Sequence, residues 1–172
     1  AETYLGQAAP RRHDGGEAKT LRDYRNRFAL YKTDDDLQAA HAAAPWLVVF
    51  DDHEVENDWA GDRSEDGDPR EVFLRRRRDA FQAYYEHMPL RRTSIPRGPD
   101  MSLYRRYDHG RLASLNLLDT RQYRDEQVSG AFPGGPRDPR SLDPARTLLG
   151  STQEQWLIDG LRSSQARWDV LA

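Results

Sequence analysis

Cysteine is absent from these 172 residues, so no disulfide, thiolate ligand or thiol nucleophile can be built from them. Lysine is nearly absent as well. Lys19 and Lys32 stand among 26 basic residues, and all the others are arginine. Arginine suits forked recognition of carboxylate or phosphate, although so general a bias points first to genome base composition. No apolar run approaches the roughly eighteen residues that a membrane helix needs, and the N-terminus shows no charged or apolar leader segment. A net charge of −3 argues against a generic nucleic-acid binder. No internal repeat is visible. What remains is a single domain's length of chain, enough to bury a core.

The most pointed stretch is Trp46-Leu-Val-Val-Phe50, followed at once by Asp51-Asp-His-Glu54. A short apolar run rich in Val and aromatics, introduced by Pro45, predicts a strand buried on both faces. Helical patterns flank it, so its natural home is a parallel α/β sheet. Ligands of such sheets sit beyond the carboxyl ends of strands, where Asp51, Asp52, His53 and Glu54 fall. Three acids around one histidine repel one another unless a cation is present. Carboxylate oxygens are the preferred ligands of hard cations, so the cluster reads as a metal site with His53 as ligand or proton donor. The plain alternative is an exposed acidic loop whose Asp caps the next helix.

Elsewhere the chain alternates helix and strand signals. Thr20-Leu-Arg-Asp23 reads as a capping box ahead of a helix carrying Leu21, Tyr24, Phe28 and Tyr31. Asp34 to Asp36 open a second helix that Pro45 ends; His41 lies on its small-residue side and reads as a packing residue. Asp68-Pro-Arg-Glu71 predicts a third helix running to His87, with Asp68 as cap and Pro69 at the first helical position. Its run Arg75 to Arg78 spreads around the circumference, which predicts a solvated face with one or two ion pairs. Leu103 to Tyr107 and Arg111 to Leu118 predict a hairpin turning at Asp108-His-Gly110, with His109 in the turn. Beyond it, Arg121 and Arg124 either clamp an anion or pair with Asp119 and Asp125. Residues 128 to 147 predict a long loop, Ser151-Thr-Gln-Glu154 another capping box, and Trp168 to Ala172 a last strand. A strand that stops at the final residue predicts that the stretch belongs to something longer.

Six segments occur together: Thr20-Leu-Arg-Asp-Tyr-Arg-Asn-Arg27, Ala39-Ala-His-Ala-Ala-Ala-Pro-Trp46, Asp51-Asp-His-Glu-Val-Glu-Asn57, Ala83-Tyr-Tyr-Glu-His-Met-Pro-Leu-Arg91, Leu118-Asp-Thr-Arg-Gln-Tyr-Arg124, and Leu149 to Ala172. In kind and order they resemble the middle of a PhoD-type alkaline phosphatase, a branch of the calcineurin-like metallophosphoesterases. The resemblance covers nearly the whole chain. It implies a metallophosphoesterase-like α/β sandwich, incomplete here, made of strand–helix units plus a β-hairpin. Residues 1–172 would be the central part of one domain, truncated at both ends. It implies metal-dependent hydrolysis of phosphate monoesters or diesters, Ca2+ and Fe3+ as the metals, and an extracellular or periplasmic parent protein. By the same resemblance Asp52 would be a metal ligand, with Asp51 and Asn57 as further candidates. His53 would stabilise the transition state or protonate the leaving oxygen, and Arg121 would contact the phosphate of the ester substrate. The family's other ligand motifs, Gly-Asp-x-x-Tyr and a Gly-Asp-x-His type, have no match here, and Asp58 stands where the family often has Asn. These departures imply little activity and weak metal affinity for the stretch alone. They also keep open a non-catalytic or inactive truncated homologue that acts as a binding or structural module.

Overall fold

The computed structural model describes His13, residues 15–128 and residues 138–172. Part of the expected long loop, 129–137, lies outside the described residues. Helix α1 (Leu21–Lys32) begins at the expected capping box: the Thr20 side chain accepts from the Asp23 amide, and the Asp23 carboxylate accepts from the Thr20 amide. Asp34 caps α2 (Asp35–Ala43) by accepting from the Leu37 amide. His41 stacks on Trp46 at 4.2 Å, the packing role expected of it. Helix α3 (Arg70–His87) starts slightly later than predicted. Pro69 rather than Asp68 is its N-cap, because the Pro69 carbonyl accepts from the Val72 and Phe73 amides and no side chain caps the end.

Helix α1 packs on α3, and the core forms around them. Phe50, Trp59, Phe73, Phe81, Tyr84 and Leu103 are buried. Phe50 stacks on Phe81 at 4.9 Å, and Trp59 meets Phe81 edge-on at 6.1 Å. Such pairs contribute about 0.5–1.5 kcal/mol each beyond simple burial.

The segment 46–50 pairs with no strand among the described residues. Val48 and Phe50 are buried and Val49 packs against the core between them, whereas Trp46 and Leu47 are exposed. The predicted doubly buried strand is therefore corrected to an unpaired segment whose second half, from Val48 to Phe50, enters the aromatic core. At least one of its backbone groups is met by a side chain, since Arg105 Nη2 donates to the Val48 carbonyl at 2.6 Å.

Strands β1 (Arg105–His109) and β2 (Ala113–Leu117) form the expected antiparallel hairpin, with Arg105 opposite Leu117. The turn falls after His109, which ends β1, and Gly110 takes the left-handed backbone that the reversal needs, at φ 56°. β3 (Trp168–Leu171) adds in parallel to β2, with Ala113 opposite Trp168, giving the order β1-β2-β3. A parallel neighbour requires a long crossover, and α4 (Gly150–Ser163) supplies it. Ser151 lies inside the first turn of α4 rather than capping it. The upstream Thr147 hydroxyl accepts the Gly150 amide at 2.8 Å. No described helix is long and apolar enough to cross a membrane.

Helix α4 comes closest to the hairpin at Gly160. A Cβ there would sit 1.5 Å from Arg106 Nη2. That guanidinium cannot swing away freely, because its Nε donates to Asn116 Oδ1 at 2.6 Å and it lies 4.8 Å over the Trp156 ring. Gly160→Ala is expected to destabilise by about 1–3 kcal/mol through overpacking, outweighing roughly 1 kcal/mol of helix-propensity gain. Urea unfolding of Gly160→Ala in the native and Arg106→Ala backgrounds checks this. The penalty should disappear when Arg106 is shortened.

Candidate active site

The acidic stretch after Phe50 folds into a tight turn that closes on itself. The Asp52 carbonyl accepts from the Val55 amide at 2.8 Å and from Trp59 Nε1 at 3.1 Å. The buried Asp52 carboxylate accepts from the His53 amide at 2.9 Å through Oδ1 and from the Asp58 amide at 3.0 Å through Oδ2. Asp52 thus caps its own loop and not a following helix. Tyr24 of α1 donates to the Val55 carbonyl at 2.7 Å. Glu56 is buried, accepting from Arg76 Nη1 at 2.6 Å and from the Glu65 amide at 2.9 Å. Arg76 also donates to Tyr24 Oη at 2.9 Å and reaches Glu17.

These contacts correct the expectation of a solvated arginine face on α3 in part: Arg75 and Arg78 are exposed, the latter paired with Asp79 at 2.8 Å, but the middle two are not. Arg76 and Arg77 are only 3% and 5% exposed. Arg77 donates to the Pro99 carbonyl at 2.8 Å and to the Gly61 carbonyl at 2.5 Å. Both arginines fasten loops to the helix.

A second loop, after β2, carries Arg121. Asp119 is fully buried there and accepts from the Arg121 amide at 3.1 Å and the Gln122 amide at 2.9 Å. Burial pushes the Asp119 carboxyl above its ordinary value, against the pull of the Gln122 and Arg121 bonds and the Arg77 charge. Gln153 of α4 holds the Asp119 backbone from both sides, accepting from its amide and donating to its carbonyl at 2.8 Å each. Gln122 likewise clamps the Met101 backbone at 2.7 and 3.1 Å. The two loops are then joined by the Gly61 amide donating to the Arg121 carbonyl at 2.9 Å.

So positioned, Arg121 crosses to the acidic turn. Its Nε donates to Asp51 Oδ1 at 2.6 Å, and Nη2 lies 3.7 Å from Asp52 Oδ2. Its Nη1 is 3.7 Å from Asp58 Oδ1. Arg124 Nη2 donates to the Asp58 carbonyl at 2.9 Å and stands 3.8 Å from the same Oδ1. The arginines therefore pair with the distant acidic turn and not with Asp119 or Asp125.

The structure brings Asp51, Asp52, His53 and Arg121 together. Asn57 is turned toward Glu65, donating through Nδ2 at 2.9 Å. His53 Nε2 lies 4.0 Å from Asp52 Oδ1. The histidine also lines a cavity of about 390 Å³ with Tyr24, Phe28, Trp46 and Met88. Burial acts to raise the Asp52 pKa. The Asp58 amide, Arg121 and His53 outweigh it and hold the carboxyl below its ordinary value, so Asp52 is ionised at neutral pH. Each Asp52 oxygen accepts one hydrogen bond and keeps lone-pair capacity, which fits the role of a single metal ligand. Among the described residues no three His, Cys, Asp or Glu side chains gather as a complete metal-binding set. The sequence reading missed Gln122 and Gln153 altogether. A glutamine in a loop or in a first helical turn carries no local signal that it will clamp a remote backbone.

A positioned ionised carboxylate, an adjacent histidine and a guanidinium from a separate loop thus stand together at one place. The chain belongs to the PhoD-like phosphatase family, whose model matches residues 2–172. It is 57% identical over 162 residues to alkaline phosphatase D of Bacillus subtilis (strain 168), covering 94% of this chain and 28% of that protein. A solved structure described as the structure of PhoD is 54% identical and superposes with a TM-score of 0.89, covering 99% of this chain and 32% of the other. The chain thus spans about a third or less of the length of these relatives.

Proposed function

We propose that the full-length protein hydrolyses phosphate monoesters, diesters or both, at a metal centre to which Asp52 contributes a carboxylate. The observation that carries this reading is the approach of Arg121 to the Asp51-Asp52-His53 turn across 70 residues of sequence. Asp52 holds a ligand oxygen in place through two backbone amides. Arg121 presents a guanidinium whose Nη1 has no hydrogen-bond partner, suited to a phosphoryl oxygen. His53 is assigned to donate a proton to a departing alkoxide, supported by its place beside Asp52 and on an open cavity. Asp51 serves as the partner that aims Arg121, and Asn57 remains a candidate ligand through its Oδ1, since Nδ2 is the atom that meets Glu65. The bound metals, Ca2+ and Fe3+ by family resemblance, supply Lewis-acid polarisation and an activated water. The remaining ligands are assigned to parts of the protein beyond these residues, and export to the periplasm or outside the cell is proposed on the same resemblance.

The test is an assay of full-length protein on p-nitrophenyl phosphate and bis-p-nitrophenyl phosphate, with metal content measured in parallel. Chelation should abolish hydrolysis and metal add-back should restore it. Asp52→Asn should lower kcat/KM roughly 10²-fold or more and reduce bound metal per chain. Full activity after chelation, or unchanged metal content in Asp52→Asn, would refute the assignment. A second reading, a non-catalytic homologue that serves as a binding module, is favoured by the lack of a three-donor set among the described residues. Inactivity of the metal-loaded full-length protein on both esters would establish it.

A further inference from the structure

We propose that Arg121 and Arg124 together form a paired-guanidinium seat for a phosphoryl group, and that the Asp58 carboxylate is an internal anion competing for it. This seat lies in the site proposed above and rests on the phosphoesterase reading. The two guanidiniums straddle one oxygen, Asp58 Oδ1, at 3.7 and 3.8 Å. Those distances are within ion-pair range but too long for hydrogen bonds. Two guanidinium nitrogens are buried without a hydrogen-bond partner, Arg121 Nη1 and Arg124 Nε. The Arg124 side chain is only 8% exposed, and burial followed by the neighbouring Arg121 charge lowers its pKa. Buried charged donors left unmade are costly, so the arrangement favours an acceptor with more oxygens than Asp58 offers.

Asp58 cannot satisfy both arginines because it is tethered. Its amide is held by Asp52 Oδ2 at 3.0 Å, its carbonyl by Arg124 at 2.9 Å, and its Oδ1 by the Gln127 side-chain amide at 2.6 Å. A tetrahedral phosphoryl group has oxygens in several directions and can meet both forks. The Asp58 side chain is 38% exposed, so its place opens to solvent. Its backbone is left-handed, at φ 48°. Asp and Asn are among the few non-glycine residues that accept this conformation. Asp58→Asn therefore removes the charge while keeping shape and backbone.

The experiment measures inhibition of p-nitrophenyl phosphate hydrolysis by inorganic phosphate in the full-length protein. Four forms are compared: unmodified, Asp58→Asn, Arg124→Gln and the double variant, each checked by thermal melting. Asp58→Asn is expected to lower the phosphate inhibition constant about three- to tenfold, the scale of removing one partly exposed competing charge, and KM should fall with it. Arg124→Gln should weaken phosphate inhibition and abolish the gain from Asp58→Asn. If Asp58→Asn melts early, Asp58→Gly replaces it, since glycine also suits the backbone. An inhibition constant unchanged or raised by loss of the Asp58 charge overturns the proposal. So does a gain of equal size in the Arg124→Gln background, which would reflect general charge and not a seat. Absence of hydrolysis by the unmodified protein counts against the phosphoesterase reading alone. Calorimetric titration with inorganic phosphate then reads the seat directly, with tighter binding in Asp58→Asn expected and equal binding overturning it.

Discussion

Arg76→Ala destabilises the full-length protein by about 3–5 kcal/mol, the cost of stranding a buried charge. Glu56, the partner left behind, is only 1% exposed. Burial already pushes its carboxyl above the ordinary value even with Arg76 at 2.6 Å. Arg76 also donates to Tyr24 and reaches Glu17, so its loss unties α1, α3 and the acidic turn at once. Urea unfolding followed by tryptophan fluorescence measures the change, because Trp59 lies in this core. The double change Arg76→Met with Glu56→Gln separates charge from contact. A glutamine keeps an oxygen for the Glu65 amide at that position and leaves no buried charge, so most of the loss should be recovered. Equal destabilisation in single and double variants would mean that packing around the Arg76 stem dominates.

Arg76 also marks where the sequence stops being legible. Local signals were reliable where local chemistry decides the outcome. The Thr20-Asp23 box, the start of the second helix at Asp34 to Asp36, the hairpin and the last strand all form as the spacing implied. The four-arginine run read correctly for Arg75 and Arg78 but not for Arg76 and Arg77, because its geometry only says that the side chains point around the helix. Whether two of them are buried and paired depends on Glu17, Glu56 and Asp100, which lie 20 or more residues away. Caps were misplaced at two helices, where Pro69 is the N-cap of α3 and Leu149 that of α4, neither with a side-chain cap. The segment 46–50 has the composition of a central strand. Its pairing is a matter of partners, and composition does not specify them. In the site, the acidic turn and Arg121 were visible as motifs. Their joining through Asp51, and the supporting clamps of Gln122 and Gln153, required the fold.

His53→Ala is expected to lower kcat roughly 10²–10⁴-fold on alkyl phosphates, the usual range for losing a positioned general acid, and far less on p-nitrophenyl phosphate. The difference follows from the leaving group. An alkoxide is a strong base and needs a proton as its bond to phosphorus breaks, whereas p-nitrophenolate departs unprotonated. His53 is placed beside the proposed ligand carboxylate, with Nε2 lying 4.0 Å from Asp52 Oδ1. The ring also borders the open cavity and is not sealed in the core. Two rival roles give different patterns on the same full-length variant. If His53 is chiefly a metal ligand, bound metal falls and both substrates lose activity together. If it is chiefly a packing residue, the melting temperature drops and the loss follows the folded fraction. Only a loss that grows with the basicity of the leaving alcohol, at unchanged metal content and melting temperature, fits a proton delivered from His53.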